Sequence, residues 1–143
     1  MKDITLRITG KTISSTEEQA QDDVLQFTTS AKLMRRGKIT CLSYDETEIS
    51  GMEGCKTLIT VSEKKVKMKR EGMALGAATI MEFVSGKRFE GLYETPYGPV
   101  GMEILTNSIS GMDLEDGKLS IDYSVSLHGL MSSRQLLDIE ILN

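Results

Sequence analysis

Arg70 and Glu46 are the two charged residues whose positions in the sequence most clearly point to a functional role. Alternation of apolar residues with lysines places Arg70 on the same side of the chain as Val66 and Met68, and a second alternation places Glu46 on the side of Tyr44. A lone charge in an apolar interior is strongly unfavourable, so we expect Arg70 and Glu46 to meet inside the fold or at its mouth. The pair would be a structural ion pair, the commoner use of such residues, or a clamp in which Arg70 holds a carboxylate or phosphate.

Three tyrosines extend this candidate ligand-binding site. Tyr44 faces inward by the same alternation, and Tyr93 lies two residues beyond Gly91, which either leaves space for a ligand or marks a bend in a strand. Tyr97 lies in the segment Thr95–Pro99, which contains both prolines of the chain and therefore predicts a turn or a corner. From such a corner Tyr97 could stack on a ligand at the rim. The expected site residues are Arg70, Tyr44, Glu46, Tyr93 and Tyr97.

The remaining reactive residue types do not form a known catalytic or metal-binding pattern. The single histidine, His128, lies in an expected loop, and the Gly-x-Ser-x-Gly pattern of a nucleophile elbow is absent from the sequence. The acidic residues from Asp45 to Glu53 do not have the ligand spacing of a calcium-binding EF-hand loop. Cys41 and Cys55 with one histidine cannot complete the four-ligand shell of a structural zinc site. We expect no catalytic residue, no metal and no cofactor.

Alternating apolar and polar residues dominate the chain and predict an all-β domain. The expected strands run over residues 4–8, 22–35, 38–48, 56–62, 65–70, 79–84, 87–94, 100–109, 118–127 and 134–142, a number that suits a sandwich or a barrel. Two-residue turns at Glu63-Lys64 and Ser85-Gly86 predict hairpins between their flanking strands. Residues 13–23 are expected to be a solvated connection, and Gly72–Ala78 a short helix or a lid. No linker or repeat divides the chain, so residues 1–143 are predicted to form one domain.

Charge and hydropathy exclude several classes of partner. Seventeen basic and twenty-one acidic residues give a net charge of −4, which argues against a nucleic-acid-binding protein and against an anionic membrane surface as partner. No apolar run is long enough for a signal peptide or a membrane span. Two cysteines in a chain without a secretion signal are expected to be reduced thiols, and we expect a cytoplasmic protein.

Three stretches of the chain resemble the YwiB-like family of small bacterial proteins. They are Leu42-Ser-Tyr-Asp-Glu46, Met68-Lys-Arg-Glu-Gly72, and Tyr93-Glu-Thr-Pro-Tyr-Gly98 followed by Ile104-Leu-Thr-Asn. The likeness extends from the first strand to about Leu127, and Thr95-Pro-Tyr-Gly98 is its most specific motif. It implies an all-β, closed or nearly closed antiparallel barrel of the calycin or lipocalin-like type with about eight to ten strands, in a bacterial cytosol. It implies no established activity, substrate or catalytic residue.

We expect non-enzymatic binding of a small, partly apolar ligand inside the barrel, with an anionic ligand if Arg70 acts as the clamp. A small barrel is either filled by its own side chains or just wide enough for one small ligand. The alternative is a structural or protein-interaction barrel with a filled interior, which could form a homodimer. An enzyme using Arg70, Glu46 and Tyr44 would require a substrate-sized cavity beside Glu46. An apolar void would favour binding, and a packed interior would favour the interaction protein.

Overall fold

Ten strands make up nearly all of the chain described by the computed structural model. The described residues are 2–13, 23–46, 54–72, 78–95, 97–112, 114, 117–128 and 131–142. At residues 94, 95 and 131 only the backbone is described. The strands are β1 (Lys2–Ile13), β2 (Asp23–Arg36), β3 (Ile39–Asp45), β4 (Cys55–Val61), β5 (Val66–Gly72), β6 (Thr79–Phe83), β7 (Arg88–Thr95), β8 (Gly98–Ser110), β9 (Lys118–Leu127) and β10 (Met131–Ile141). All ten predicted strands are therefore present. Residues 14–22 of the expected solvated connection and residues 73–77 of the expected helix or lid lie outside the described residues.

The strands form one antiparallel sheet in the order β6-β5-β4-β3-β2-β1-β10-β9-β8-β7. The pairing of β1 with β10, in which Leu6 lies opposite Ile141 and Ile13 opposite Arg134, joins the first and last strands. Because β6 and β7 at the two edges also contact each other, the meander is rolled into a nearly closed up-and-down barrel. The predicted all-β, nearly closed antiparallel barrel is confirmed.

The barrel has one seam, between β6 and β7, where the predicted Ser85-Gly86 hairpin does not continue into a ladder. The turn itself forms, because the Lys87 amide donates to the Val84 carbonyl at 2.9 Å. The Gly86 amide then donates to the Thr106 carbonyl at 2.8 Å, and the Thr106 amide donates to the Lys87 carbonyl at 3.2 Å. These bonds draw the turn onto β8, and β7 pairs with β8 rather than with β6 among the described residues. The hairpin prediction is therefore right for the turn and wrong for the strand pairing.

The barrel interior has two different ends. Adjacent strands run in opposite directions, so the odd-numbered strands all finish at one end, which we call the site end, and the even-numbered strands finish at the packed end. Apolar side chains fill the packed end, among them the fully buried Val66, Phe83 and Leu119. Leu114, in the connection between β8 and β9, adds a further buried side chain to this core. Space and polar side chains are therefore concentrated at the site end.

The two cysteines lie on neighbouring strands, Cys41 on β3 and Cys55 on β4, and both are free.

Among the described residues, we find no helix with the length and apolar character needed to cross a membrane.

Candidate functional site

Three polar side chains lie in one row across neighbouring strands at the site end. The register pairs Tyr44 on β3 with Thr57 on β4, and Thr57 with Arg70 on β5. All three fall on the inward parity of their strands, so the row lies inside the barrel. The Glu46 amide donates to the Cys55 carbonyl at 2.8 Å, which continues the β3–β4 pairing by one step and keeps Glu46 on the same inward face.

Tyr44, Glu46, Thr57 and Arg70 form a polar cluster in which the Tyr44 hydroxyl interacts with Thr57 and Glu46. The Thr57 hydroxyl donates to Glu46 Oε1 at 2.5 Å and accepts a long bond from Arg70 Nε at 3.4 Å. Arg70 Nη2 lies 3.6 Å from the same Glu46 oxygen, and the two side chains are 16% and 2% exposed. The predicted meeting of Arg70 and Glu46 is therefore confirmed, with Thr57 between them as the shared partner.

Two tyrosines, Tyr44 in the cluster and Tyr123 on β9, are held in their protonated form. Burial raises the pKa of Tyr44 well above its ordinary value of 10.0, and the negative charge of Glu46 raises it further. Burial also raises the pKa of Tyr123 on β9, an effect that the positive charge of Arg70 opposes. Both phenols therefore act at neutral pH as hydrogen-bond donors and acceptors, and neither is suited to act as a phenolate base.

A cavity of about 350 Å³ extends from the polar cluster into the barrel. Its apolar wall includes Ile8, Phe27, Met68, Met81, Met102 and Leu137. Its polar lining is Tyr44, Glu46, Arg70, Tyr93, Tyr123 and Gln135. A larger groove of about 550 Å³ lies between Asp3, Lys32 and Lys56, but its surface is more polar than apolar, as is expected for a solvated surface depression. The interior cavity is therefore the better candidate for a ligand site.

Four of the five predicted site residues line this cavity, and the fifth does not. Arg70, Tyr44, Glu46 and Tyr93 contribute to its wall. Tyr97 is 99% exposed and does not line the cavity. Because Thr95 pairs with Gly98, Tyr97 lies at the tip of a tight turn between β7 and β8, where its side chain meets solvent. The structure therefore does not bring Tyr97 together with the other four residues at the cavity.

Gly10, and not the Gly91 indicated by the sequence, is the glycine with open space beside it at the cavity. A Cβ atom on Gly91 would lie 2.9 Å from Cε2 of Phe89, so the Phe89 ring already occupies that space. Gly10 on β1 lines the cavity, and a Cβ there would have no atom within 4 Å. The alternation of Ile4, Leu6 and Ile8 places Gly10 on the inward side, and this signal was available in the sequence.

Thr57, Tyr123 and Gln135 are the polar residues at the site that the sequence analysis missed. Thr57 has the inward parity of Ile59 on β4, and Tyr123 has that of Ile121 on β9. In both strands the other inward-facing positions are mainly apolar, so a polar residue among them can be detected from the sequence. Gln135 is harder to detect in the sequence, because β10 is mostly half-buried on both faces. Its side-chain Nε2 donates to Ser133 Oγ at 2.9 Å.

The other reactive residues lie away from the cavity. His128 is exposed in the turn that follows β9, where its amide donates to the Gly101 carbonyl at 2.8 Å. Asp45 is exposed while Glu46 points inward, and Glu48 and Glu53 lie outside the described residues. Within the part of the chain that the structure describes, no three His, Cys, Asp or Glu side chains converge as a metal site.

The fold and the site define a nearly closed, ten-stranded antiparallel β-barrel with a polar cluster at one end of an interior cavity. The chain belongs to the family described as Domain of unknown function (DUF1934), whose profile matches residues 7–139. The chain is also similar to the crystal structure of the YwiB protein from Bacillus subtilis, with 22% sequence identity and a TM-score of 0.69 over 99% of this chain and 94% of that one. This likeness supports the barrel fold and confirms the resemblance seen in the sequence. No curated protein matches the chain.

Proposed function

We propose that the protein binds a small, partly apolar molecule in the barrel cavity and does not transform it. The observation that carries this proposal is an apolar cavity of about 350 Å³ with one polar cluster at its end. Small-molecule sites commonly have volumes of about 300–1,000 Å³, apolar walls and a few polar groups that orient the ligand. The cavity is at the small end of that range, so the ligand would be no larger than a substituted single ring or a short chain.

Arg70 is the group best placed to hold the polar end of such a ligand. Its contacts with described side chains are 3.4 Å to Thr57 and 3.6 Å to Glu46, both long for a charged donor. A guanidinium group has five N–H donors, and these two long contacts use only part of that capacity. A carboxylate, a phosphate or an uncharged carbonyl could therefore accept a hydrogen bond from Arg70.

Binding is supported better than the two alternatives considered from the sequence. A protein-interaction barrel with a filled interior would have no need for a cavity of this size beside Arg70. An enzyme that used Tyr44 as a base would need its phenolate, whereas the raised pKa of Tyr44 keeps the phenol protonated at neutral pH. We also infer a cytosolic location, since free Cys41 and Cys55 are typical of a reducing compartment.

Native mass spectrometry of the purified protein, compared with the denatured chain, tests the proposal first. We expect an additional mass that is lost on denaturation. Gly10→Phe should abolish it, because the new ring would project into open space at the cavity wall. Leu58→Phe is the matched control, since Leu58 is an exposed side chain on the outer face of β4 and should retain the additional mass.

The variants also separate binding in the cavity from binding elsewhere. Equal retention of the additional mass by Gly10→Phe and by wild type would place the ligand outside the cavity and contradict the proposal. If the bound molecule is acidic, Arg70→Ala should release it, and unchanged retention would remove Arg70 from the site.

A further inference from the structure

The charges that line the cavity are balanced before any ligand enters. Among the described lining residues, Arg70 is the only cation and Glu46 the only anion, and their charged atoms lie 3.6 Å apart. Resting on the proposed function, we infer that the polar end of the ligand is an uncharged carbonyl group, best fitted by a carboxamide, and not a free acid.

A free acid would add a negative charge that the site cannot balance. Glu46 is 2% exposed, and the Thr57 hydroxyl holds it in place at 2.5 Å. A carboxylate that reached Arg70 would lie close to this fixed carboxylate in a poorly solvated space, where like charges repel strongly. Arg70 cannot serve as full counter-charge to both anions, so binding an acid would require repulsion to be overcome or a proton to be taken up.

A carboxamide matches both members of the pair without adding charge. Its carbonyl oxygen can accept from the Arg70 guanidinium, which only donates, and its NH₂ group can donate to the Glu46 carboxylate, which only accepts. Thr57 and Arg70 approach Oε1 of Glu46, and the Tyr44 hydroxyl also interacts with this carboxylate. A carboxylate has about four acceptor positions, so these contacts leave capacity for the NH₂ group of a ligand. The apolar remainder of the ligand would lie against Met68, Met81 and Met102, whose flexible side chains adapt to different shapes.

Three probes with the same aromatic ring test this inference: phenylacetamide, the equally large phenylacetate, and the smaller ethylbenzene, which has no polar group. Their affinities would be measured at pH 7.5 by isothermal titration calorimetry, on wild type and on Glu46→Gln. On wild type we expect the amide to bind at least about tenfold more tightly than the acid. On Glu46→Gln the order should reverse, because the charge of Arg70 is then unbalanced and favours phenylacetate.

Glu71→Gln is the matched control for the loss of one carboxylate. Glu71 is exposed on the outer face of β5, next in sequence to Arg70, so this variant should keep the wild-type preference for the amide. An acid that binds wild type as tightly as the amide would overturn the inference, as would a preference that does not change in Glu46→Gln. In either case, the proposed function would still hold if Gly10→Phe abolished binding of the probe. If none of the three probes binds wild type, the inference fails, whereas the additional mass in native mass spectrometry still decides the proposed function separately.

Discussion

Arg70 Nη2 lies 3.6 Å from Glu46 Oε1 inside the barrel, and the Thr57 hydroxyl bridges the two side chains. The three residues come from β5, from the end of β3 and from β4, and the strand register alone brings them together. Because the pair is largely removed from water, each charge depends on the other for compensation. This dependence makes the pair both the centre of the candidate site and a measurable part of the stability of the fold.

Removing one member of the pair should destabilise the protein more than removing both. Glu46→Ala leaves the guanidinium of Arg70 without its counter-charge and should lower the free energy of unfolding by about 2–3 kcal/mol. Glu46→Leu combined with Arg70→Met should recover most of this loss, because no buried charge remains. Urea denaturation of Glu46→Leu, Arg70→Met and the double variant measures the coupling, and additive losses would show that the pair is not coupled.

Arg134→Ala provides the surface comparison for this experiment. Arg134 donates from Nε to Asp122 Oδ1 at 2.9 Å and from Nη2 to Oδ2 at 2.5 Å, but its side chain is 51% exposed. An exposed pair is screened by water and salt, so we expect a much smaller loss than that of Glu46→Ala. A larger loss than that of Glu46→Ala would mean that burial does not govern the strength of these pairs.

Tyr44→Phe should make the protein less sensitive to alkaline pH. The raised pKa values of Tyr44 and Tyr123 keep their phenols protonated in the folded state at pH values where the unfolded chain has lost these protons. The contribution of these two phenols to the free energy of unfolding is therefore constant near neutral pH and falls as pH rises above about 10, by up to about 1.4 kcal/mol per pH unit for each tyrosine. Removing one hydroxyl removes one such contribution to the slope.

Chemical denaturation at a series of pH values above neutrality measures this slope. Tyr44→Phe and Tyr123→Phe should each make it shallower, and the double variant should show the sum of the two changes. The same slope in wild type and in all variants would contradict the assignment of these phenols as buried, protonated groups.

Two glycines on inward faces should respond in opposite ways to the same substitution. Gly10→Ala introduces a methyl group into open space and should stabilise the fold by about 0.4–1 kcal/mol through the lower entropy of the unfolded chain. Gly91→Ala would place its Cβ 2.9 Å from the Phe89 ring and should cost roughly 1–3 kcal/mol. Thermal unfolding measures both, and Phe89→Leu should relieve part of the Gly91→Ala loss. Changes of equal sign at the two positions would show that the space around these glycines is similar.

The seam should be the least protected part of the barrel wall in hydrogen exchange. Within the described strands, β6 and β7 each pair with one neighbouring strand, whereas β1 pairs with β2 on one side and with β10 on the other. Strands with fewer ladder bonds open at lower cost, so amides of β6 and β7 should exchange faster than those of β1. Exchange measured by mass spectrometry or NMR tests this, and equal protection of β1 and the two edge strands would mean that the seam is closed in solution.

The inward direction of each strand could be read from the sequence because it is a local property. Side chains alternate between the two faces of a strand, so Val66 and Met68 are sufficient to direct Arg70 inward, and Tyr44 directs Glu46 in the same way. The cost of a lone buried charge then predicts that the two charges meet, and the structure confirms it at 3.6 Å. The resemblance to the YwiB-like family added the choice of a barrel over a sandwich, which the alternation had left open.

Other features depended on contacts between distant parts of the chain. Ser85-Gly86 has the local character of an ordinary hairpin turn, yet the turn is drawn onto Thr106 of β8 and its two strands are not paired with each other among the described residues. Gly91 and Gly10 are equivalent as residue types, and only the position of the Phe89 ring decides which of them leaves space. Alternation of side chains follows from the geometry of a single strand, so the sequence by itself determines it. Closure of the sheet and the volume of the cavity depend on residues far apart in the chain, so only the tertiary structure decides them.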